Sequence, residues 1–162
     1  MTGFSARSSI VVVGEAPHPS EAIAAALIEA PWRGPLYQFG DSESALDCVH
    51  QRGRFAAQRG DVSVGLVVVS LGANAEPGVR LTQSVRGSAG TRHIPIVAVV
   101  GASEPSTIQL CYSAGVNACV EWPHLPDEQY GLARNVVKWW LHGVPVVPDD
   151  NHTSGRLNAI KA

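Results

Sequence analysis

Four short apolar runs constrain this chain more than any other feature: Ile10–Gly14, Val64–Ser70, Ile94–Val100 and Ala118–Val120. They are rich in β-branched residues, and none alternates between apolar and polar positions. Each therefore reads as a strand buried on both faces. A fifth run, Leu36–Phe39, extends the series. Between the runs, apolar residues recur at helical spacing. Strand and helix alternate, and parallel neighbours need a long crossover that places a helix over the sheet. The expected fold is α/β, a doubly wound (βα)5 chain with a five-stranded parallel sheet in three layers.

The connecting segments carry their own signals. Pro17 and Pro19 end the first run, and Ser20 is the expected cap of a helix with Ala22, Ile23, Ala26, Leu27 and Ala30 on one face. Asp41 or Ser42 caps a second helix with Ala45, Leu46, Val49 and Phe55 inward, and Arg52–Gly60 reads as a polar loop or ragged helix end. The turn-rich loop Gly72–Gly78 precedes a short helix, Val79–Val85. Pro105 opens a fourth helix and Gly115 closes it. Pro126 or Asp127 opens the last, with Tyr130, Ala133, Val136, Val137, Trp140 and Leu141 on one face, and Gly143 and Pro145 stop it. Successive helical residues lie about 100° apart, so Trp140 turns to the core and Trp139 outward. Residues 8–142 read as one domain and 143–162 as a polar tail or linker stub.

Composition narrows the functional classes. Hydrophobic residues make up 45% and charged residues 16%, which suits a packed domain. The net charge is −2 and no basic face stands out, so direct nucleic-acid binding is not expected. Cys48, Cys111 and Cys119 are far apart and lack metal-ligand spacing, as in a reducing cytoplasm. No run approaches the length of about 18 apolar residues that spans a membrane. Of the scattered histidines, only His18 and His124, with Glu15, suggest even a weak metal site, and solvated loop histidines are the better reading. Nucleotide-binding Gly motifs are missing, and no cofactor is expected.

Five motifs in order give the chain a resemblance. Val13 and Gly14 close the first run, and Glu15 and Pro17 follow it. Ser70 and Leu71 are followed by Pro77 and Gly78. Ile94 and Pro95 open the fourth run, Ala114, Gly115, Val116 and Asn117 precede the fifth, and Trp122 and Pro123 follow it. In this the chain resembles the receiver domain of bacterial response regulators, a flavodoxin-like (CheY-like) fold, over about residues 8–142. The resemblance implies a site at the carboxyl ends of the strands. There the family keeps an acidic pair, a phosphoacceptor Asp, a switch hydroxyl and a Lys.

At those positions this chain has Gly14 and Glu15, Ser70, Val100 and Trp122. Mg²⁺ wants one or two well-placed carboxylates plus substrate oxygens, and a lone Glu15 is a poor site. An indole N–H is a single neutral donor, not a mobile cation, and a valine has no hydroxyl. The implied function is that of a pseudo-receiver, not an enzyme, working in bacterial signalling through phosphorylation-independent contact with protein partners or a second copy. Tyr112 and Trp139 are the candidate interface residues. Trp122 either fills the vacated pocket or stands exposed. In the second case Gly14, Glu15, Ser70, Val100 and Trp122 would ring a small-molecule sensor site. The chain would also suit the regulatory domain of a larger output protein.

Overall fold

The apolar runs pair side by side in a computed structural model that describes residues 8–14, 19–30, 32–58, 63–101 and 105–140. Strands β1 (Ser9–Val13), β2 (Leu36–Phe39), β3 (Val64–Leu71), β4 (Ile96–Val100) and β5 (Ala118–Glu121) form one sheet. Its order is β2-β1-β3-β4-β5 and every pairing is parallel. Helices α1 (Ser20–Glu29), α2 (Ser42–Val49), α3 (Glu76–Gly87), α4 (Pro105–Ala114) and α5 (Pro126–Lys138) cross between them. This is the doubly wound, flavodoxin-like α/β fold of three layers.

The two faces of the sheet explain the missing alternation. Val11, Val13, Val67, Val69, Ile96 and Ala98 pack in one core with Ala45, Cys48, Leu81, Val85 and Cys111 from α2, α3 and α4. Their strand neighbours Ile10, Val12, Leu66, Val68, Val97 and Val99 pack in the other, against Ile23, Leu27, Ala133, Val137 and Trp140 from α1 and α5. In β1, β3 and β4 side chains on both faces thus meet apolar surface, whereas the edge strands β2 and β5 are only partly buried.

Several boundaries differ from the sequence reading. Pro19, not Ser20, holds the cap position of α1; no side chain caps it, and Ser20 is already helical. Helix α3 begins at Glu76, three residues before Val79. Asn74 Oδ1 accepts the Glu76 N–H at 3.1 Å, and Pro77 falls in the first turn, where its missing N–H costs nothing. The loop expected over Arg52–Gly60 contains a 3₁₀ helix, Gly53–Gln58. Phe55 anchors it, set edge-on to the rings of Tyr37 and Phe39 with centroids 5.8 and 5.9 Å away. The fourth strand starts at Ile96, two residues inside the run. Asp41 caps α2 as expected, its Oδ1 accepting the Ser44 N–H at 2.7 Å. At the end of α5 the backbone widens into a π turn at Trp139–Trp140. Pro17, His18, Leu141, Gly143 and Pro145 lie outside the described residues.

Where α2 meets α3, His50 Nε2 sits 3.4 Å from Ser84 Oγ. Burial, then the nearby Arg52 charge, pushes the imidazole below its ordinary pKa, against a smaller opposing pull from Asp47. Folding therefore favours the neutral ring. The unfolded chain binds more protons between the lowered folded value and an unfolded value of about 6.5, so stability rises with pH across that window. The contribution is complete above the window and is lost as pH falls through it. Thermal melts between pH 5 and 7.5 are expected to show a shallower pH slope in His50→Gln than in the wild type. Identical slopes would remove His50 from the account.

Candidate functional site

The carboxyl ends of β1, β3, β4 and β5 are where a doubly wound sheet places its ligand site. Gly14 ends β1, its N–H donating to Phe39 O at 3.0 Å. Its φ is +123°, a conformation that L side chains rarely adopt. The reason is the neighbouring strand: a Cβ at Gly14 would stand 2.2 Å from the Ser70 carbonyl oxygen. The backbone of β1 therefore lies close against that of β3 at the carboxyl ends of the two strands.

Ser70 pairs in register with Val99, and Leu71 with Val100. Ser70 is 5% exposed and Val100 2%. The Trp122 N–H donates to Val100 O at 2.7 Å, which continues the β5 ladder. Its indole is 6% exposed and packs in the core that holds Val99, Ala133, Val137 and Trp140. Val100 belongs to the opposite core. The structure thus brings Gly14 against Ser70 and Val100 against Trp122, and sends the last two side chains to opposite faces of the sheet. Glu15 lies outside the described residues.

Among Gly14, Ser70, Val100 and Trp122 there is no carboxylate, no cation and one hydroxyl. These four described residues offer none of the carboxylate oxygens through which Mg²⁺, a hard cation that dehydrates reluctantly, binds. Among the described residues no group of three His, Cys, Asp or Glu could hold a metal. His124 is exposed, while Glu15 and His18 fall outside the description. Burial pushes the Cys48 and Cys119 thiols up to about 11, and raises Cys111 as well. All three stay protonated at neutral pH and are poor nucleophiles.

The two candidate interface residues differ in kind. Trp139 is 61% exposed on the last turn of α5, whereas the adjacent Trp140 is buried. Tyr112 is half exposed, yet its hydroxyl accepts the Cys119 N–H at 3.2 Å. Strand β5 is a sheet edge, so α4 covers one of its outward donors through this tyrosine. Leu110 on α4 and Leu125 at the start of α5 are also exposed apolar residues, and the sequence reading missed both. So it did Arg86, whose guanidinium ties α3 to the loops before β4 and β5. Its only sequence trace is the Gly115 and Asn117 pair that it holds. No helix among the described residues is long and apolar enough to cross a membrane.

No protein-family model matches the sequence, and no curated protein matches it. Solved structures do. The phosphorylated cyanobacterial phytochrome response regulator RcpA aligns with a TM-score of 0.76 at 16% identity, over 86% of this chain and 98% of its own. A response regulator receiver domain from Rhodospirillum rubrum aligns at 0.66 and 22% identity, over 86% and 99%. The bacteriophytochrome response regulator RtBRR aligns at 0.62 and 25% identity, over 89% and 83%. The fold of this chain is that of response regulator receivers.

Proposed function

We propose that this chain is a pseudo-receiver, a signalling module that keeps the receiver fold and acts through protein contact without phosphoryl transfer. The observation that carries the reading is the closure of β1 on β3, where Gly14 lies against the Ser70 carbonyl and a Cβ would meet it at 2.2 Å. A phosphoacceptor site needs that space for an acidic side chain and its cation. Burial of Ser70, Val100 and Trp122 supports the same reading, because none of these three side chains is presented at the rim. The contact surface we assign is the exposed part of α4 and α5, centred on Tyr112 and Trp139. Its partner would be a protein of a bacterial signalling pathway or a second copy, with the chain standing alone or regulating an output domain.

The sensor alternative has less support. A ligand stacking on Trp122 would have to draw the indole out of a packed core, and removing a buried large aromatic from its contacts costs about 3–5 kcal/mol. The proposal is tested by amide spectra of the full chain during titration with Mg²⁺ and beryllium fluoride, a phosphoryl mimic. The expected result is no saturable shift at Gly14, Ser70, Leu71 or Val100. Saturable shifts confined to those residues would sink it.

A further inference from the structure

The sheet has two edges, β5 and β2, and they are finished differently. At β5 the Tyr112 hydroxyl accepts the Cys119 N–H, and Glu121 adds a charge. Strand β2 reads Leu36-Tyr37-Gln38-Phe39, with no charge and no proline to deter a further strand. Ile10 N–H donates to Pro35 O and Gly14 N–H to Phe39 O, each at 3.0 Å, and Val11 lies opposite Tyr37. In a parallel ladder this alternation aims the backbone groups of Pro35, Tyr37 and Phe39 at β1 and turns those of Leu36 and Gln38 outward. Among the described residues no strand lies beyond them. We propose that β2 of a second copy of this chain pairs there, antiparallel, about a two-fold axis at Tyr37.

Three observations select that occupant. The first is register. Leu36 and Gln38 stand symmetrically about Tyr37, so the antiparallel arrangement sets Leu36 opposite Gln38 of the second copy. Each such pair exchanges both of its N–H···O bonds, and the two Tyr37 residues meet as the non-bonded pair between them. An edge that is self-complementary in this way suits an isologous contact, in which the same patch serves both copies.

The second is apolar surface on the same edge. Leu36 packs with the α1–α5 core and so lies on the α1 face of the sheet. There it lines a groove of about 290 Å³ with Leu27, Ile28 and Trp32. Ile28 is 85% exposed, the most open of the large apolar side chains described. A two-fold axis normal to the sheet keeps both α1 helices on one face. The two grooves then face each other, and each Ile28 is covered by apolar surface of the other copy.

The third is charge. Arg33 and Asp41 each lie four residues from Tyr37, so the same register carries Arg33 towards Asp41 of the other copy. Among the described residues neither is in an ion pair; those join Arg52 to Asp47, Arg80 to Glu76 and Arg134 to Glu29. Asp41 is extended and spends Oδ1 on the Ser44 N–H. No like charges meet along β2 itself. This contact stands apart from the α4–α5 surface assigned above, because β5 and Tyr112 belong to the opposite edge.

The test is sedimentation of the full chain from about 5 to 500 µM, with hydrogen exchange at both ends of that range. The wild type is expected to pass from monomer to dimer, with the Leu36 and Gln38 amides gaining protection as it does. Gln38→Pro removes an outward donor and leaves the groups that bond β1 in place. Ile28→Asp changes an exposed side chain and spares the core. Each is expected to weaken the dimer by about tenfold or more, with the α3 amides unchanged as the control for folding. A wild type that stays monomeric throughout would overturn the proposal. So would a dimer that both variants leave intact, or one in which Leu36 and Gln38 exchange freely; either would move the contact to another face. Protection of those two amides that is independent of concentration would show that the chain covers its own edge, and would overturn it too.

Discussion

Replacing Arg86 with methionine is expected to lower the unfolding free energy by about 3 kcal/mol, read as a urea midpoint shifted down by roughly 1–2 M. The guanidinium makes four hydrogen bonds. Its Nε donates to Gly115 O at 2.8 Å, one terminal nitrogen to Arg92 O and Ile94 O at 2.9 and 2.7 Å, and the other to Asn117 Oδ1 at 2.7 Å. The acceptors belong to the α3–β4 loop and to the turn before β5, so one side chain joins three segments. Among the described residues no carboxylate pairs with it, and its four acceptors are carbonyl oxygens. Burial lowers its pKa, the expected direction for a cation partly removed from water.

Methionine keeps much of the aliphatic stem and removes every donor, so the part-buried Gly115 and Ile94 carbonyls lose this partner while Asn117 Oδ1 keeps the Ile96 N–H. Arg86→Lys is expected to recover less than half of the loss, because one ammonium cannot reproduce the planar fork. The same hub explains Gly115. Its φ is +110°, and a Cβ there would stand 2.9 Å from Arg86 Cγ. If methionine and lysine both unfold with the wild-type midpoint, Arg86 is a surface residue in all but geometry.

The sheet was legible in the sequence because its chemistry is local. Buried parallel strands are apolar on both faces, and the runs at Val64 and Ile94 announce that without any partner. Helix faces were legible for the same reason, including the opposite fates of Trp139 and Trp140. What escaped was set by pairs distant in sequence. Phe55 holds a 3₁₀ helix because Tyr37 and Phe39 face it across the fold. Tyr112 caps an edge donor at Cys119, which shows only once β5 is known to be an edge. The expected site residues came from motif order alone, and Gly14 shows what that method hides. In the sequence it is a missing acid; in the structure it is a glycine demanded by the Ser70 carbonyl.

That demand makes the second large effect calculable. Gly14→Asp is expected to destabilise the protein by about 3–5 kcal/mol, combining the cost of a positive φ on a side-chain-bearing residue with the shift needed to relieve a backbone overlap. A 2.2 Å approach of Cβ to Ser70 O is far inside any real contact, and the obstacle is backbone, not a flexible side chain. Strand β1 would have to move away from β3, against the pairing of Val13 with Val69. Gly101→Ala is the control, since nothing lies within 4 Å of a Cβ there; it is expected to change stability by less than about 0.5 kcal/mol. The Ser70→Asp/Gly14→Asp pair is not expected to regain Mg²⁺ affinity. Ser70 is 5% exposed, and a carboxylate there would be largely removed from water, which disfavours its charged form. Urea unfolding and Mg²⁺ titration of the two variants therefore test one idea: the receiver site was closed by its backbone as well as stripped of its side chains. A Gly14→Asp protein as stable as the wild type, or a double variant that binds Mg²⁺ saturably, would show that the side chains alone separate this chain from a phosphorylated receiver.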